Sequence, residues 1–547
     1  MIALPAPTLT TLPKQQLKKL AESYVEQTFE RFPEQASQQG LSKFKNRLGR
    51  NSIADYKAHQ TLVQTTLTAV EKIPGDTLDA DAWLDRRMFL SLLRTQHIFG
   101  DTLSRWRTNP QVHADAAVNS IFDLLVRHSE KLASILPALE ARLEKIPDYL
   151  QAGTECVSQP IPLWTQLTER TCEGAVEFFS GLEAELDRIS PHPEKTRQLL
   201  RGASRAFPEY ARAVARKKSG PISGFAVGRP LFEALIAERL GLDWSLTEAM
   251  ARGNQLAEEC QAALRKEAKK LGRKSAHELL EEAAHAWKPG GSLLDLYRKT
   301  TESVRLKMIA CKVVTPPTGE SLKVVPVPSF LRHQFPTAAY SSAGPFAKQQ
   351  VGIFWVNDLS LLQTDPQKAQ AEIRQHFGLP LTCAHEAYPG HHLQFSIQHR
   401  HKSKIRRLAD HAIFYEGWTL WCEEMSVSAG LIDIPHARLL QLHDALWRAY
   451  RILIDCGLQS GLMKIPQAVD ILVKNVHFTK SRAQGDVNWY TSAPTVPMSY
   501  LLGRKEVERL HAYFVKSKGW SLLRFNDWML SHGAVPWNWI WQTHLRR

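Results

Sequence analysis

Apolar residues recur at three- and four-residue steps over most of this chain, the spacing of one buried face on a helix. From Leu17 the positions Leu17, Leu20, Tyr24, Val25, Phe29 and Phe32 form the first stripe. Further stripes run around 54–73, 80–99, 116–149, 164–189, 196–216, 231–240, 246–271 and 292–311, with Pro137 and Pro147 expected to interrupt the 116–149 stripe. Asp79 or Asp81 is placed to cap the stripe at 80–99. Ser245 with Glu248, and Ser275 with Glu278, fit the reciprocal capping box. Breaks fall at 160–162, 219–230 and 289–291. Residues 366–532 return to helix, with a last turn at Gly533 and Pro536.

Strand signals are few. Lys323-Val324-Val325-Pro326-Val327-Pro328 and Gln350-Val351-Gly352-Ile353-Phe354-Trp355-Val356 are short and β-branched, and the prolines confine the first to a sheet edge. Ala339-Tyr340-Ser341-Ser342-Ala343-Gly344-Pro345 between them reads as a turn-rich stretch. The expected fold is mainly α, with a small β element beside a long helix. The loop at 219–228 would join an N-terminal helical region, 1–218, to a second region, 219–547. One intertwined helical unit is the alternative.

Composition narrows the class. The chain has 547 residues, 44% of them apolar, with 15 Trp, 12 Tyr and 21 Phe, which excludes a disordered chain and allows a large core. Seven scattered Cys without a CxxC pair argue against a disulfide framework and for a reducing, cytoplasmic compartment. No run approaches about 18 consecutive apolar residues, so no membrane span is expected. The N-terminal residues lack a basic segment leading into an apolar one, so no signal peptide is expected. The 69 Lys and Arg against 55 Asp and Glu leave a net charge of +14. That excess suits an anionic partner, but no nucleic-acid-binding pattern accompanies it, so no nucleic acid is expected.

The chemistry concentrates in Cys383-Ala384-His385-Glu386-Ala387-Tyr388-Pro389-Gly390-His391-His392-Leu393-Gln394, on a helix opening near Pro380. Two neutral imidazoles on one face bind a divalent ion, and a Glu beside them takes a proton from water. The usual spacing puts the histidines at i and i+4, but here i+4 is Pro389. On an undistorted helix His392 returns to within about 20° of the His385 face, yet about 10 Å further along the axis. Pro389 and Gly390 break or bulge the helix. A bulge of about two residues carries His391 to the second-ligand position, which favours His391 over His392.

The next helix offers a third ligand in Phe414-Tyr415-Glu416-Gly417-Trp418-Thr419-Leu420-Trp421-Cys422-Glu423-Glu424. Glu416 is the candidate, a solvated or capping Glu being the alternative. Gly417 would admit a close backbone, and Glu423 or Glu424 could orient a ligand histidine. The expected metal set is His385, His391 and Glu416, holding Zn2+ or another divalent ion, with Glu386 as general base. A second pair, His277-Glu278, has no histidine at i+4, and Glu278 already has a capping role, so it reads as structural.

These residues resemble the domain-of-unknown-function 885 family, whose members carry PGHH and EGW motifs. So do Pro328-Ser329-Phe330-Leu331-Arg332, Ala339-Tyr340, Gly352-Ile353-Phe354-Trp355-Val356-Asn357, Arg451-Ile452-Leu453-Ile454-Asp455-Cys456-Gly457-Leu458 and Pro497-Met498-Ser499-Tyr500-Leu501-Leu502-Gly503. The likeness covers residues 320–510 well and the N-terminal helices loosely. It implies a helical zincin-like metallopeptidase architecture with a Glu third ligand. It also implies a Tyr or His that hydrogen-bonds the oxyanion, which points to Tyr490 and Tyr500, each with core or interfacial packing as its alternative. Where the family often has His after the Asp-x-Gly-Leu run, this chain has Gln459.

The expected function is a zinc-dependent hydrolase, a metallopeptidase on peptides or small amides. The rivals are a metal enzyme acting on a non-peptide small molecule and a non-catalytic basic helical binding protein. The five-cation run within Gln398–Arg407 reads as a solvated loop or as the receiver of an anionic substrate end. Arg451 and Asp455 at i, i+4 read as an ion pair, on the helix surface or buried. Cys383 reads as a buried small residue and Trp537-Asn538-Trp539-Ile540-Trp541 as C-terminal packing.

Overall fold

The capping signals start helices where they were read. Asp79 accepts from the Ala82 N–H at the head of Ala80–His97. Ser245 with Glu248 and Ser275 with Glu278 close full boxes at Leu246–Leu271 and Ala276–Ala286. This computed structural model describes residues 11–128, 131–272, 274–328, 332, 337–434 and 436–546. It is mainly α-helical with one three-stranded mixed sheet. Residues 329–331 of the family-like segment lie outside the described residues.

The chain divides into two compact units. The first, residues 1–225 with 328–333 and 343–349, is built on long amphipathic helices such as Ile53–Glu71, Leu132–Cys156, Pro162–Ile189 and Pro193–Ala215. Pro137 and Pro147 do not interrupt the chain here as expected, for both lie inside the one helix Leu132–Cys156. An internal proline costs about 3 kcal/mol. The buried Ile135, Leu136, Leu139, Leu143, Ile146 and Leu150 on both sides offset it, at about 1.5–3 kcal/mol for each fully buried large apolar side chain.

The second unit, residues 226–327, 334–342 and 350–547, holds the sheet and the motif segments. Its strands are β1 Ser321–Pro326, β2 Ala338–Ser341 and β3 Val351–Val356, in the order β1-β3-β2. β1 runs parallel to β3 at the edge, where Pro326 ends it. The start of the turn-rich stretch proves to be a strand: β2 pairs antiparallel with β3, Tyr340 opposite Phe354. Its short Ala-Ala-Tyr-Ser sequence has little β signal of its own and takes its conformation from its partner.

Three helices of this unit matter most for the site: Ala412–Ser428, Ala437–Ser460 and Val496–His511. The first and third cross at a glycine pair. A Cβ on Gly417 would stand 2.5 Å from the Gly503 Cα, and one on Gly503 would stand 2.1 Å from the Ile413 carbonyl oxygen. The C-terminal aromatics pack inward: Trp537 is fully buried, stacks on Phe414 at 4.1 Å and donates to the Ile413 carbonyl at 2.9 Å. All seven cysteines are free thiols, Cys383 fully buried among them. No helix among the described residues is long and apolar enough to cross a membrane.

Because the crossing leaves no room for a methyl group, Gly417→Ala is expected to lower the unfolding free energy by about 1–3 kcal/mol or more. Urea denaturation of the two proteins side by side measures it, and an unchanged midpoint would contradict the packing described.

Candidate metal centre

The motif segment folds as two short helices, Leu379–Glu386 and His391–Gln398, with Pro380 in the first turn of the first. The Tyr388–Pro389 peptide between them is cis. The expected bulge is thus a full break. Gly390 makes it possible, since a Cβ there would fall 1.8 Å from the His385 carbonyl oxygen and 2.4 Å from that of Ala384. Trp418, buried on the helix Ala412–Ser428, donates its indole N–H to the Pro389 carbonyl at 2.9 Å and holds the break from the other side.

The break brings His391 to His385. Their rings meet edge to face at 4.9 Å. Both Nε2 atoms lie 3.6 Å from Glu416 Oε2. One ligand atom from each of His385, His391 and Glu416 falls within 4.8 Å of the others, a grouping that could hold a metal ion. Two donors each about 2.0–2.2 Å from one tetrahedral ion stand about 3.3–3.6 Å apart, so the 3.6 Å separations fit a shared ion better than direct hydrogen bonds. Glu416 Oε2 is buried and has no hydrogen-bond partner. A buried carboxylate oxygen in that condition calls for a cation.

The remaining valences support the same arrangement. His385 Nδ1 donates to Glu423 Oε1 at 2.8 Å, which turns the Nε2 lone pair toward Glu416. Burial alone would lower the His385 imidazole, but the Glu416, Glu423 and Glu386 carboxylates push it up to about 10. Burial alone would raise the Glu416 carboxyl, and the two histidines instead hold it well below the usual range. Glu424 turns away to Arg504 at 2.8 Å and to Arg438.

Glu386 is the last residue of the first histidine helix, partly exposed, and makes no hydrogen bond or ion pair among the described residues. Tyr500 sits one turn before Gly503, so the glycine crossing brings Tyr500 near Glu416. Burial, and then the Glu416 charge, push that phenol up. Tyr490 is placed differently. It is fully buried, accepts from Arg451 Nε at 2.9 Å and Trp447 Nε1 at 3.3 Å, and donates to Asp486 at 3.0 Å. Gln459 is engaged with the Tyr490 and Thr491 carbonyls at 2.9 and 3.3 Å.

The expected Arg451–Asp455 ion pair does not form. Arg451 turns to Tyr490, while Asp455 accepts from the Met498 N–H at 3.4 Å, and burial keeps its carboxyl well above the usual range. In the basic run Arg400, Lys402 and Lys404 are exposed, as a solvated segment would have them, while Arg406 is buried and Arg407 donates to the His401 carbonyl at 2.6 Å.

Sequence reasoning missed a polar clamp on the far side of the break. His392 is fully buried, with Nε2 2.8 Å from Glu320 and Nδ1 3.2 Å from the Tyr340 hydroxyl, so neither nitrogen is left for a metal. Glu320 also accepts from the Tyr388 hydroxyl at 2.7 Å and from Arg305 at 3.2 Å. Tyr388 and His392 flank the Pro-Gly break and could have been suspected. Glu320, far upstream in a turn, carries no periodic signal.

A mainly helical protein with a His-His-Glu cluster built across a broken helix and its neighbour is the class that fold and site define. The chain belongs to the family of bacterial proteins of unknown function DUF885, whose model matches residues 33–542. Two solved structures share the fold along its length. One, described as a "putative lipoprotein of unknown function" from Shewanella oneidensis, is 19% identical, with 97% of this chain and 99% of that chain covered and a TM-score of 0.75. The other, described as a "putative lipoprotein" from Colwellia psychrerythraea, is 18% identical, with 98% and 99% covered and a TM-score of 0.78. At these identities the likeness is one of fold. No curated protein matches this chain.

The clamp has a pH signature. Burial alone would raise the Glu320 carboxyl, but hydrogen bonds from His392 and Tyr388, the His392 charge and the Arg305 bond hold it at about 2, against 4.5 unperturbed. A depressed carboxyl stabilises the fold above its unfolded value and loses that contribution as pH falls through the folded one. Glu320→Gln should therefore cost on the order of 2–4 kcal/mol at pH 7, and the gap to the parent should narrow as pH drops below about 4.5. Urea midpoints taken from pH 7 down to pH about 3.5 check this; a gap independent of pH would contradict it.

Proposed function

We propose that this protein is a metal-dependent hydrolase, a peptidase acting on peptides or small amides, with His385, His391 and Glu416 as its metal ligands. One observation carries the reading: two imidazole nitrogens stand 3.6 Å from a buried carboxylate oxygen that has no hydrogen-bond partner. A zinc ion held there supplies a Lewis acid that polarises a carbonyl and makes water more acidic. The other roles belong to the chain. Glu423 fixes the His385 tautomer, so that Nδ1 carries the proton and Nε2 the lone pair. Glu386, unengaged at the end of its helix, takes a proton from the attacking water and returns it to the leaving nitrogen. Tyr500, near Glu416, donates to the oxygen that gains charge as the carbonyl is attacked. Tyr490, its hydroxyl already shared among three partners, stands behind this as support for Arg451.

In this reading the catalytic region is 219–547 and the N-terminal helical region is 1–218. Seven free thiols favour a reducing compartment such as the cytoplasm. The lipoprotein descriptions of the two structural neighbours make the cell envelope the rival location, and cell fractionation decides between them.

Metal analysis of protein purified without chelator should find about one zinc or other divalent ion per chain. His391→Ala should lose it, while His392→Ala should keep it even if less stable. Retained metal in His391→Ala would remove the assigned ligand. With peptide libraries and mass-spectrometric readout, Glu386→Gln should keep the metal and lower turnover by about 10²- to 10⁴-fold. Undiminished turnover in Glu386→Gln would rule out that base, and turnover indifferent to chelation would rule out the metal.

A further inference from the structure

A buried cation with no ion pair of its own lies beside this centre. Arg451, on the helix Ala437–Ser460, is 5% exposed, and its Nη1 has no hydrogen-bond partner. Its Nε donates to Tyr490, and aromatic rings wall the rest: Cζ stands 4.0 Å from the Trp447 ring centre, 4.8 Å from that of Tyr500 and 5.5 Å from that of Trp489. It makes no ion pair with any carboxylate among the described residues. Three guanidiniums gather around Trp447, those of Arg448 at 3.9 Å, Arg451 at 4.0 Å and Arg482 at 5.2 Å. The carboxylates among them are Asp444, 3.4 Å from Arg448, and Asp486, which accepts from the Tyr490 hydroxyl.

A buried ion needs a partner; Arg482 is exposed to solvent and Arg448 is paired with Asp444, so the buried cation left without an ion pair is Arg451. The unpaired cation is also the one that lies over the Tyr500 ring, and Tyr500 feels the charge of the metal ligand Glu416. A guanidinium accepts a carboxylate through two parallel N–H bonds, which favours that anion as the missing partner. Resting on the peptidase reading above, we propose that Arg451 receives a carboxylate of the substrate and sets the cut within one or two residues of a free C-terminus. An extended residue spans about 3.3–3.6 Å, so one or two residues bridge the Tyr500 ring between the guanidinium and the metal ligands. An acidic side chain next to the cut offers the same chemistry, and the test separates the two sources.

The test uses full-length zinc-loaded protein and three matched N-acetyl peptides: a free C-terminal acid, its C-terminal amide, and an amide ending in Glu. The acid should exceed the plain amide in kcat/KM by roughly 10- to 100-fold, the range for a hydrogen-bonded charge. The ratio should vanish in Arg451→Gln and be intermediate in Arg451→Lys, which keeps charge but not the planar fork. Selective cleavage of the Glu amide would keep Arg451 in its role and move the carboxylate to the side chain. Equal turnover of all three, a preference that survives in Arg451→Gln, or a cut more than two residues from the end overturns the proposal and leaves the hydrolase reading standing. If no peptide is cleaved, the hydrolase reading has failed, and calorimetric titration with the acid and amide decides alone. Binding of the acid that is lost in Arg451→Gln supports the site; equal or absent binding overturns it. Should Arg451→Gln not fold, an unchanged ratio in Arg451→Lys overturns it.

Discussion

The candidate site depends on a single steric fact, the absence of a side chain at Gly390. The backbone there passes so close to the end of the first histidine helix that a Cβ would overlap the His385 carbonyl oxygen. Only with that approach does the second helix begin where His391 can face His385. On a continuous helix a step of six residues leaves two side chains about 120° apart, on different faces. The break replaces helical periodicity with a turn, and every distance among His385, His391 and Glu416 inherits its geometry. Two clamps keep it in place: the Trp418 indole on the Pro389 carbonyl, and the Glu320 carboxylate shared by Tyr388 and His392.

Charge explains why such a structure is kept in the interior. His385, Glu416 and Glu423 expose between 5% and 14% of their side chains. Two carboxylates buried this deeply are costly unless positive charge meets them. Without an ion His385 supplies it, its imidazole pushed up, against its burial, to about 10 by the Glu416, Glu423 and Glu386 carboxylates. A divalent cation with two neutral imidazoles would balance Glu416 and Glu423 without any proton. The same rule, applied to the helix Ala437–Ser460, makes Arg451 stand out, for there a buried cation forms no ion pair and reaches Asp486 only through the Tyr490 hydroxyl.

Much of this was legible in sequence where the signal is local. Capping boxes were, because they are written within four residues. That His391 rather than His392 comes beside His385 was, because Pro389 and Gly390 occupy positions where a helix cannot continue unchanged. Glu423 as partner to His385 was one of two options that spacing left open. What escaped was non-local. Glu320 reaches His392 from a turn 72 residues upstream, and nothing in its own neighbourhood marks it. The continuity of Leu132–Cys156 through two prolines escaped because packing on either side outweighed a local rule. Arg451 and Asp455 have the spacing of an ion pair, but tertiary partners compete for both, and aromatic rings won the cation while a backbone N–H won the acid.

The three residues Glu416, Gly417 and Trp418 show how these constraints converge. Successive residues on a helix point about 100° apart, so the tripeptide addresses three different neighbours from one turn. Glu416 faces the two histidines. Gly417 meets Gly503 on the helix Val496–His511, and that contact sets how near Tyr500 comes to Glu416. Trp418 reaches the carbonyl at the break. A shift or rotation of this helix cannot improve one contact without disturbing the other two. Glu416, the helix crossing and the clamp are therefore one rigid element, and that element is what gives a break in the neighbouring helix a defined geometry.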